Sequence, residues 1–417
     1  MIYFDLEIIS WQAERRLQQK VRKKSMNHTK ASKQQAMADA EAALVREVRR
    51  QEASSRVQLA RHLSLAPSTV GVYVDRLIGE GYLREGPKIQ TGSGRPATVV
   101  ELNPQAGEFI GVDFDARLIV ATSIDFSQNV QRRAQRTVLA SDTTPDVLAK
   151  IEEVIRELTR PAALLGIGVA VPGAVDSERG IARHYEYIPL WQDVPLVERL
   201  SQRFGVPVHL ENNIRSFALA ELWFSQRPAV NNYVCLGIRS GIGAGVVIDG
   251  QLHRGTDGLA GEIGSWPCVV AGSDGTYQTA TLENVASVRA LLNRLTDEVR
   301  RGAPTTLKLK RDQVTLDELL WAAGQSDPLV LRSLQDAADA VARVIAQCSL
   351  LLNPDRVVIA GPLAELTEAF LEPVSRCVDQ YAVPQHAKKP EIVASSFGDY
   401  GGALGAAALA VHQWRPD

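Results

Sequence analysis

The chain of 417 residues, 45% hydrophobic and 23% charged, is long enough for two or three domains, and no uncharged apolar run approaches the roughly 18 residues of a membrane helix. Four cysteines, Cys235, Cys268, Cys348 and Cys377, lie far apart with no CxxC pair, which argues against a disulfide framework or a zinc ribbon and fits a reducing cytoplasm. The net charge of −2 divides unevenly: residues 1–100 hold 17 Lys and Arg against 10 Asp and Glu, the rest 29 against 38, so a polyanion is the expected partner of the head alone.

The chain opens on MIYFDLEIISW, where Asp5 and Glu7 precede the basic run Arg15 to Lys24, the wrong order for a secretory leader. Residues 1–35 read as an extension, with translation expected to begin at Met26 or nearby. Ala36 to Glu52, rich in Ala, Glu and Arg, reads as a helix. From Ser54 onward Leu59, Ala60 and Leu63 share one apolar helical face, and Val70, Val74, Leu77 and Ile78 share another. The short break Ser64-Leu65-Ala66-Pro67 separates them; Pro67 suits a first helical turn, while Ala66 supplies no capping side chain. This phase turns Ser68, Thr69, Gly71, Tyr73 and Arg76 outward, where they can reach phosphates and base edges in a major groove. The segment Gly79 to Arg84 and the turn Thr91 to Pro96 frame a β-wing with Arg95 at its tip. Residues 36–104 therefore read as a winged helix-turn-helix that binds operator DNA, against the plainer reading of a small helical bundle with a solvated hairpin.

Past Pro104 apolar strands alternate with helices. Phe109–Phe114, Arg117–Phe126 and a third strand through Val138 precede a helix at Asp146–Thr159 and a buried strand at Leu165–Val171. The plan returns at Tyr233–Ile238 and Ala244–Ile248, around the turn Ser240-Gly241-Ile242-Gly243, followed by a helical region, the strand Arg356–Ala360 and the small-residue helix Gly401–Val411. Two copies of one strand-turn-strand plan imply a duplicated, bilobed α/β body with a ligand cleft between the lobes.

Five blocks carry a resemblance: GVAVPGAVD at Gly168–Asp176, LENNIRSFALAE at Leu210–Glu221, GIGAGVVIDGQLHRG at Gly241–Gly255, GLAGEIGS at Gly258–Ser265 and VVIAGPL at Val357–Leu363. In order and spacing they resemble the ROK family of sugar kinases and sugar-responsive repressors, over nearly the whole chain from Ser54. The resemblance implies a bilobed actin-like ATPase (ribonuclease H-like) fold for residues 105–417, with the winged head marking the repressor branch. It also implies that Asn212, Glu262 and Glu283 hold sugar hydroxyls, with Asn213 beside them able to donate and accept. A plainer reading, in which Glu262 and Glu283 cap or pair locally, stands beside it.

Several departures from the family pattern bear on chemistry. The proton-accepting Asp of the kinases falls at Asn213, an amide that cannot take a proton at neutral pH. The first phosphate turn, DxGGT in kinases, is Asp113-Phe114-Asp115-Ala116-Arg117, which lacks the glycine cradle and adds a carboxylate. The second turn survives, as a phosphate cradle or as a hairpin needing positive φ. The structural zinc site is lost at all four ligand positions, Ser265, Asp274, Thr276 and Thr281; Cys268 has the wrong spacing and reads as a small buried hydrophobe. Without metal, the turn Ser265-Trp266-Pro267 is expected to hold Glu283 near Glu262 through burial of Trp266.

The leading expectation is a homodimeric DNA-binding regulator, a repressor of carbohydrate metabolism, with a catalytically inactive body sensing a sugar or sugar phosphate and needing no metal or cofactor. An active sugar kinase with an appended head, and a ligand-free body used only for dimerisation, are the alternatives.

Overall fold

The computed structural model describes residues 36–51, 54–89, 96–160, 163–271, 277–381 and 389–416. Met26, Arg95, Asp274 and Thr276 lie outside them. The chain divides into two units, residues 1–106 with 413–417, and residues 107–412. No helix among the described residues is long and apolar enough to cross a membrane.

In the smaller unit, helix α1 (36–51) buries Ala42, Leu44, Val45 and Val48. The short strand β1 (Ser54–Ser55) leads into α2 (Arg56–His62) through a capping box, in which the Ser55 hydroxyl accepts from the Gln58 N–H while the Gln58 amide oxygen takes the Ser55 N–H. Helix α3 (Pro67–Gly79) starts behind Ala66 with proline in its first turn and no side-chain cap. Leu59, Ala60, Val70, Val74 and Leu77 are buried, whereas Ile78 and Leu63 are only half-buried at the helix ends. Strands β2 (Leu83–Ile89) and β3 (Ala97–Leu102) pair antiparallel with an irregularity between Glu85 and Lys88, and β1 covers the other edge of β3.

The larger unit contains one topology twice. In the first lobe β4 (Glu108–Phe114), β5 (Leu118–Asp125) and β6 (Val130–Thr137) run as an antiparallel meander, and β7 (Leu164–Val171) returns parallel to β4 after α4 (Thr144–Leu158). Helix α4 begins two residues before the expected Asp146, because Thr143 and Asp146 form a capping box and Pro145 suits the first turn. A small sheet, β8 (Ala174–Asp176), β9 (Ile181–His184) and β10 (Gln192–Val194), precedes α5 (Leu196–Phe204), β11 (Val208–Asn212) and α6 (Asn213–Phe224). The main sheet has the order β11-β7-β4-β5-β6.

The second lobe repeats it with β12 (Tyr233–Ile238), β13 (Ile242–Ile248) and β14 (Gln251–His253). A hairpin, β15 (Pro267–Ala271) and β16 (Tyr277–Thr281), comes next, followed by α7 (Leu282–Ala286), α8 (Val288–Arg300), α9 (Leu316–Gly324) and α10 (Pro328–Leu352). Strand β17 (Arg356–Ala360), α11 (Glu372–Gln380), β18 (Glu391–Ala394) and α12 (Gly401–Gln413) complete it, in the sheet order β14-β13-β12-β17-β18. Each sheet thus places its first strand at the centre, between its meander and its parallel returns. The small residues of α12 let it lie directly on the first-lobe sheet: a Cβ on Gly111 would come within 1.9 Å of the Ala403 carbonyl, and one on Gly168 within 1.8 Å of the Ala406 carbonyl.

Candidate functional site

On α3 of the smaller unit Ser68 is exposed, and Thr69 and Tyr73 are half-exposed. Arg76 is turned back instead: its Nε donates to Glu80 at 2.8 Å and its Nη1 lies 3.4 Å from the buried Glu41 of α1. Sequence reasoning passed over Val57 and Val72, which are 62% and 65% exposed on α2 and α3. It also passed over Arg61, exposed near the end of α2 with no ion pair among the described residues.

In the larger unit the two lobes enclose a cleft of about 320 Å³, lined from the first lobe by Asn212, Asn213 and Tyr187 and from the second by Ser240, Glu262 and Glu283, among others. All four residues expected to meet a sugar are therefore brought together. Strand β11 ends in Asn212 and Asn213 opens α6, and the fully buried Glu211 anchors the junction: its carboxylate accepts from Arg215 Nε and Arg254 Nε, both at 2.7 Å, and from the Asn212 N–H. Asn212 caps α6, its Oδ1 accepting from the N–H groups of Ile214 and Arg215 while its Nδ2 donates to the Gly173 carbonyl. It thus has one amide hydrogen left for a ligand. Asn213 follows as the first helical residue, its side chain making no hydrogen bond among the described residues.

Arg215 also ties the glycine-framed loop to this floor, donating from Nη1 to the Gly258 carbonyl at 2.5 Å. Further along, Gly261 sits at φ +95° with its carbonyl on the Ala244 N–H, and a Cβ there would meet the Ala244 carbonyl at 1.9 Å. Glu262 then lines the cleft, its carboxylate without a hydrogen-bonded partner among the described residues. Crowding by protein and the nearby Glu283 raise its pKa, and Arg215 only partly opposes them.

Glu283 is held differently. Its Oε2 accepts the Ile242 N–H at 2.9 Å and its Oε1 the Tyr187 hydroxyl at 3.1 Å. The surviving glycine turn is thus occupied by a protein carboxylate. The turn closes an antiparallel hairpin of β12 with β13, as the plainer reading expected, but neither Gly241 nor Gly243 adopts the positive φ that reading asked for. Gly241 instead gives Glu283 room, because a Cβ there would lie 2.6 Å from Oε2.

At the turn Asp113 to Arg117, Arg239 of the second lobe inserts its buried guanidinium between two first-lobe acids, with Nη1 2.8 Å from Asp113 and Nη2 3.2 Å from Asp115. Burial pushes the Asp113 carboxyl up to about 7; Arg239 pulls the other way and Asp115 adds to the rise. The Tyr185 hydroxyl accepts the Ala116 N–H beside them.

The segment expected to lack a zinc site holds a hairpin. Strands β15 and β16 pair from Pro267 with Thr281 to Ala271 with Tyr277, and Thr281 caps α7 through the Asn284 N–H. Trp266 is half-buried against the second-lobe core rather than enclosed. Its carbonyl accepts the Leu282 N–H, so backbone pairing shares the task expected of its ring. Cys268 is likewise only half-buried, because it lies on the exposed hairpin. Among the described residues no group of three His, Cys, Asp or Glu side chains is arranged to hold a metal ion.

A family model described as "ROK family" matches residues 109–413. The chain is 27% identical over 367 residues to a xylose repressor of Caldicellulosiruptor bescii, covering 86% of this chain and 91% of that one. It is 30% identical over 311 residues to a glucokinase of Thermotoga maritima, covering 72% and 96%. A solved structure of a ROK family transcriptional regulator, a homologue of the Escherichia coli MLC protein, superposes with a TM-score of 0.73 at 25% identity over 90% of this chain and 96% of that one. With the duplicated sheets and the motif-bearing cleft, these matches show that the chain belongs to the ROK family and has its bilobed actin-like fold.

Proposed function

We propose that this protein is a DNA-binding transcriptional regulator of carbohydrate metabolism, acting as a repressor, whose body senses a sugar without phosphorylating it. The observation that carries the reading is a cleft that keeps Asn212, Asn213, Glu262 and Glu283 together while protein groups fill both phosphate positions, Arg239 between Asp113 and Asp115 and Glu283 on the Ile242 N–H. Phosphoryl transfer depends on positioning and neutralising the phosphates, and it needs a group that takes the sugar proton; Asn213 is no such group. The similarity to a xylose repressor and to an MLC homologue supports the same reading.

In this proposal α3 enters a major groove, with Ser68, Thr69 and Tyr73 on phosphates and base edges, Val72 against a thymine methyl and Arg95 on the wing. Arg76 joins only if Glu80 and Glu41 release it. Two copies reading two half-sites make the working unit a homodimer. Selection from a random duplex pool tests this: recovery of a repeated half-site supports it, and binding without sequence preference rejects it.

The cleft also favours an uncharged sugar over a sugar phosphate. Asp115, Glu186, Glu262 and Glu283 line it, against an Arg239 already paired and His184. In calorimetric titrations D-xylose and D-glucose are expected to bind at least about tenfold more tightly than their phosphates, since like charges in a confined site cost on the order of 1 kcal/mol or more. A phosphate ester binding more tightly than its parent sugar would reject the charge argument.

A further inference from the structure

We propose that Tyr187 is a positioning residue of the effector cleft: reaching from the first lobe, it holds the Glu283 carboxylate of the second in the orientation that receives a sugar hydroxyl. The acceptor is therefore complete only while the lobes stand at this separation. The proposal rests on the sugar reading of the cleft.

Tyr187 follows β9 in the first lobe, whereas Glu283 lies on α7 and Arg289 on α8 of the second. Its hydroxyl donates to Glu283 Oε1 at 3.1 Å, and the Arg289 guanidinium stands 4.0 Å from the centre of its ring. On the other side the ring packs edge-on against buried Tyr185, with centroids 5.1 Å apart, and Tyr185 is itself tied to the Ala116 N–H. Tyr187 is thus supported within its own lobe and gripped by the other. Burial and the acids Glu186 and Glu283 raise its pKa, so the phenol stays a donor at neutral pH.

The consequence concerns Glu283. A carboxylate offers about four lone-pair sites. One on Oε2 is used by the Ile242 N–H and one on Oε1 by Tyr187, which stops the group turning about its soft terminal torsion and leaves an acceptor site on each oxygen. With the Tyr187 hydroxyl gone, the Ile242 N–H is the one hydrogen bond left to this carboxylate among the described residues, and the group is free to turn. A sugar seated on Glu283 in turn favours the lobe separation that keeps Tyr187 in reach, which links occupancy to lobe geometry.

The test is a double-mutant cycle on sugar affinity in the full chain. Tyr187→Phe deletes the hydroxyl and leaves the ring with its Tyr185 and Arg289 contacts. Titration with D-xylose and D-glucose is expected to show about tenfold weaker binding for Y187F, the worth of one hydrogen bond to a charged group. Glu283→Ala is expected to weaken binding further, and the double variant to bind no more weakly than E283A alone, because Tyr187 acts through Glu283. A merely structural contact would lower the melting temperature and leave the sugar constants unchanged. Unchanged affinity in Y187F, or losses that add, overturns the proposal and leaves the sugar reading standing; no sugar bound by the wild type overturns both.

Discussion

Asp113 is a fully buried carboxyl whose Oδ2 accepts from Arg239 Nη1, while its Oδ1 has no hydrogen bond among the described residues. Its ordinary pKa of 3.8 is pushed up to about 7, so between about pH 4 and pH 7 the folded protein retains a proton that the unfolded chain has lost. That difference makes the contribution of this group to stability fall as pH rises, by about 1.4 kcal/mol per unit inside the window, and level off above it. Asp113→Asn is uncharged at every pH. Its melting temperature relative to the wild type is therefore expected to rise between pH 5 and pH 8, and a constant difference would contradict the assignment. Asp327 behaves oppositely. Burial pushes its carboxyl up, but hydrogen bonds from Thr306, Val330 and Thr305 outweigh that and hold it at about 2. As the cap of α10 it contributes stability that is present above about pH 4 and lost as pH falls towards 2. Asp327→Asn is expected to flatten that acid limb in a melting series.

At the scale of elements, the loop that carries Glu262 depends on one backbone conformation. Gly261→Ala meets both a positive φ and the Ala244 carbonyl, and is expected to cost at least about 2 kcal/mol in urea unfolding and to abolish sugar binding by displacing Glu262. A variant that melts and binds like the wild type would show that the loop has room to shift. The helices of the smaller unit and the strands β4, β5, β6, β7, β12, β13 and β17 were legible in the sequence, because apolar periodicity and capping residues act within a few positions of themselves. Even the missing cap at Ala66 was visible. The hairpin Pro267–Ala271 with Tyr277–Thr281 was not, although the Asp274-Gly275 dipeptide between its strands is a hairpin-turn signal, because the strands are five residues each and PCVVA shows no polar–apolar alternation. The small sheet β8-β9-β10 escaped for a related reason: its strands are three or four residues long, too short for alternation to register.

At the scale of the whole molecule, the two lobes bear on the proposed absence of kinase activity, because supplying one carboxylate leaves their other contacts in place. Asn213→Asp supplies the carboxylate that the kinase pattern has at this position, but Arg239 still spans Asp113 and Asp115 and Glu283 still occupies the Ile242 N–H. ATP turnover on glucose or xylose by this variant is expected to stay at background in a coupled assay, and clear turnover would show that those groups yield to a nucleotide. The sequence alone determined the duplicated α/β body, the amphipathic helices of the head and the amide at position 213, because each is written in adjacent residues or in a motif of fixed spacing. Only the tertiary structure decided that Arg239 lies between acids more than a hundred positions away, that Tyr187 reaches Glu283 across 96 residues of chain, and that Arg76 turns back to Glu41. Those contacts exist because separate lobes or helices bring their ends together in space, and no local pattern records which partner a buried charge will meet.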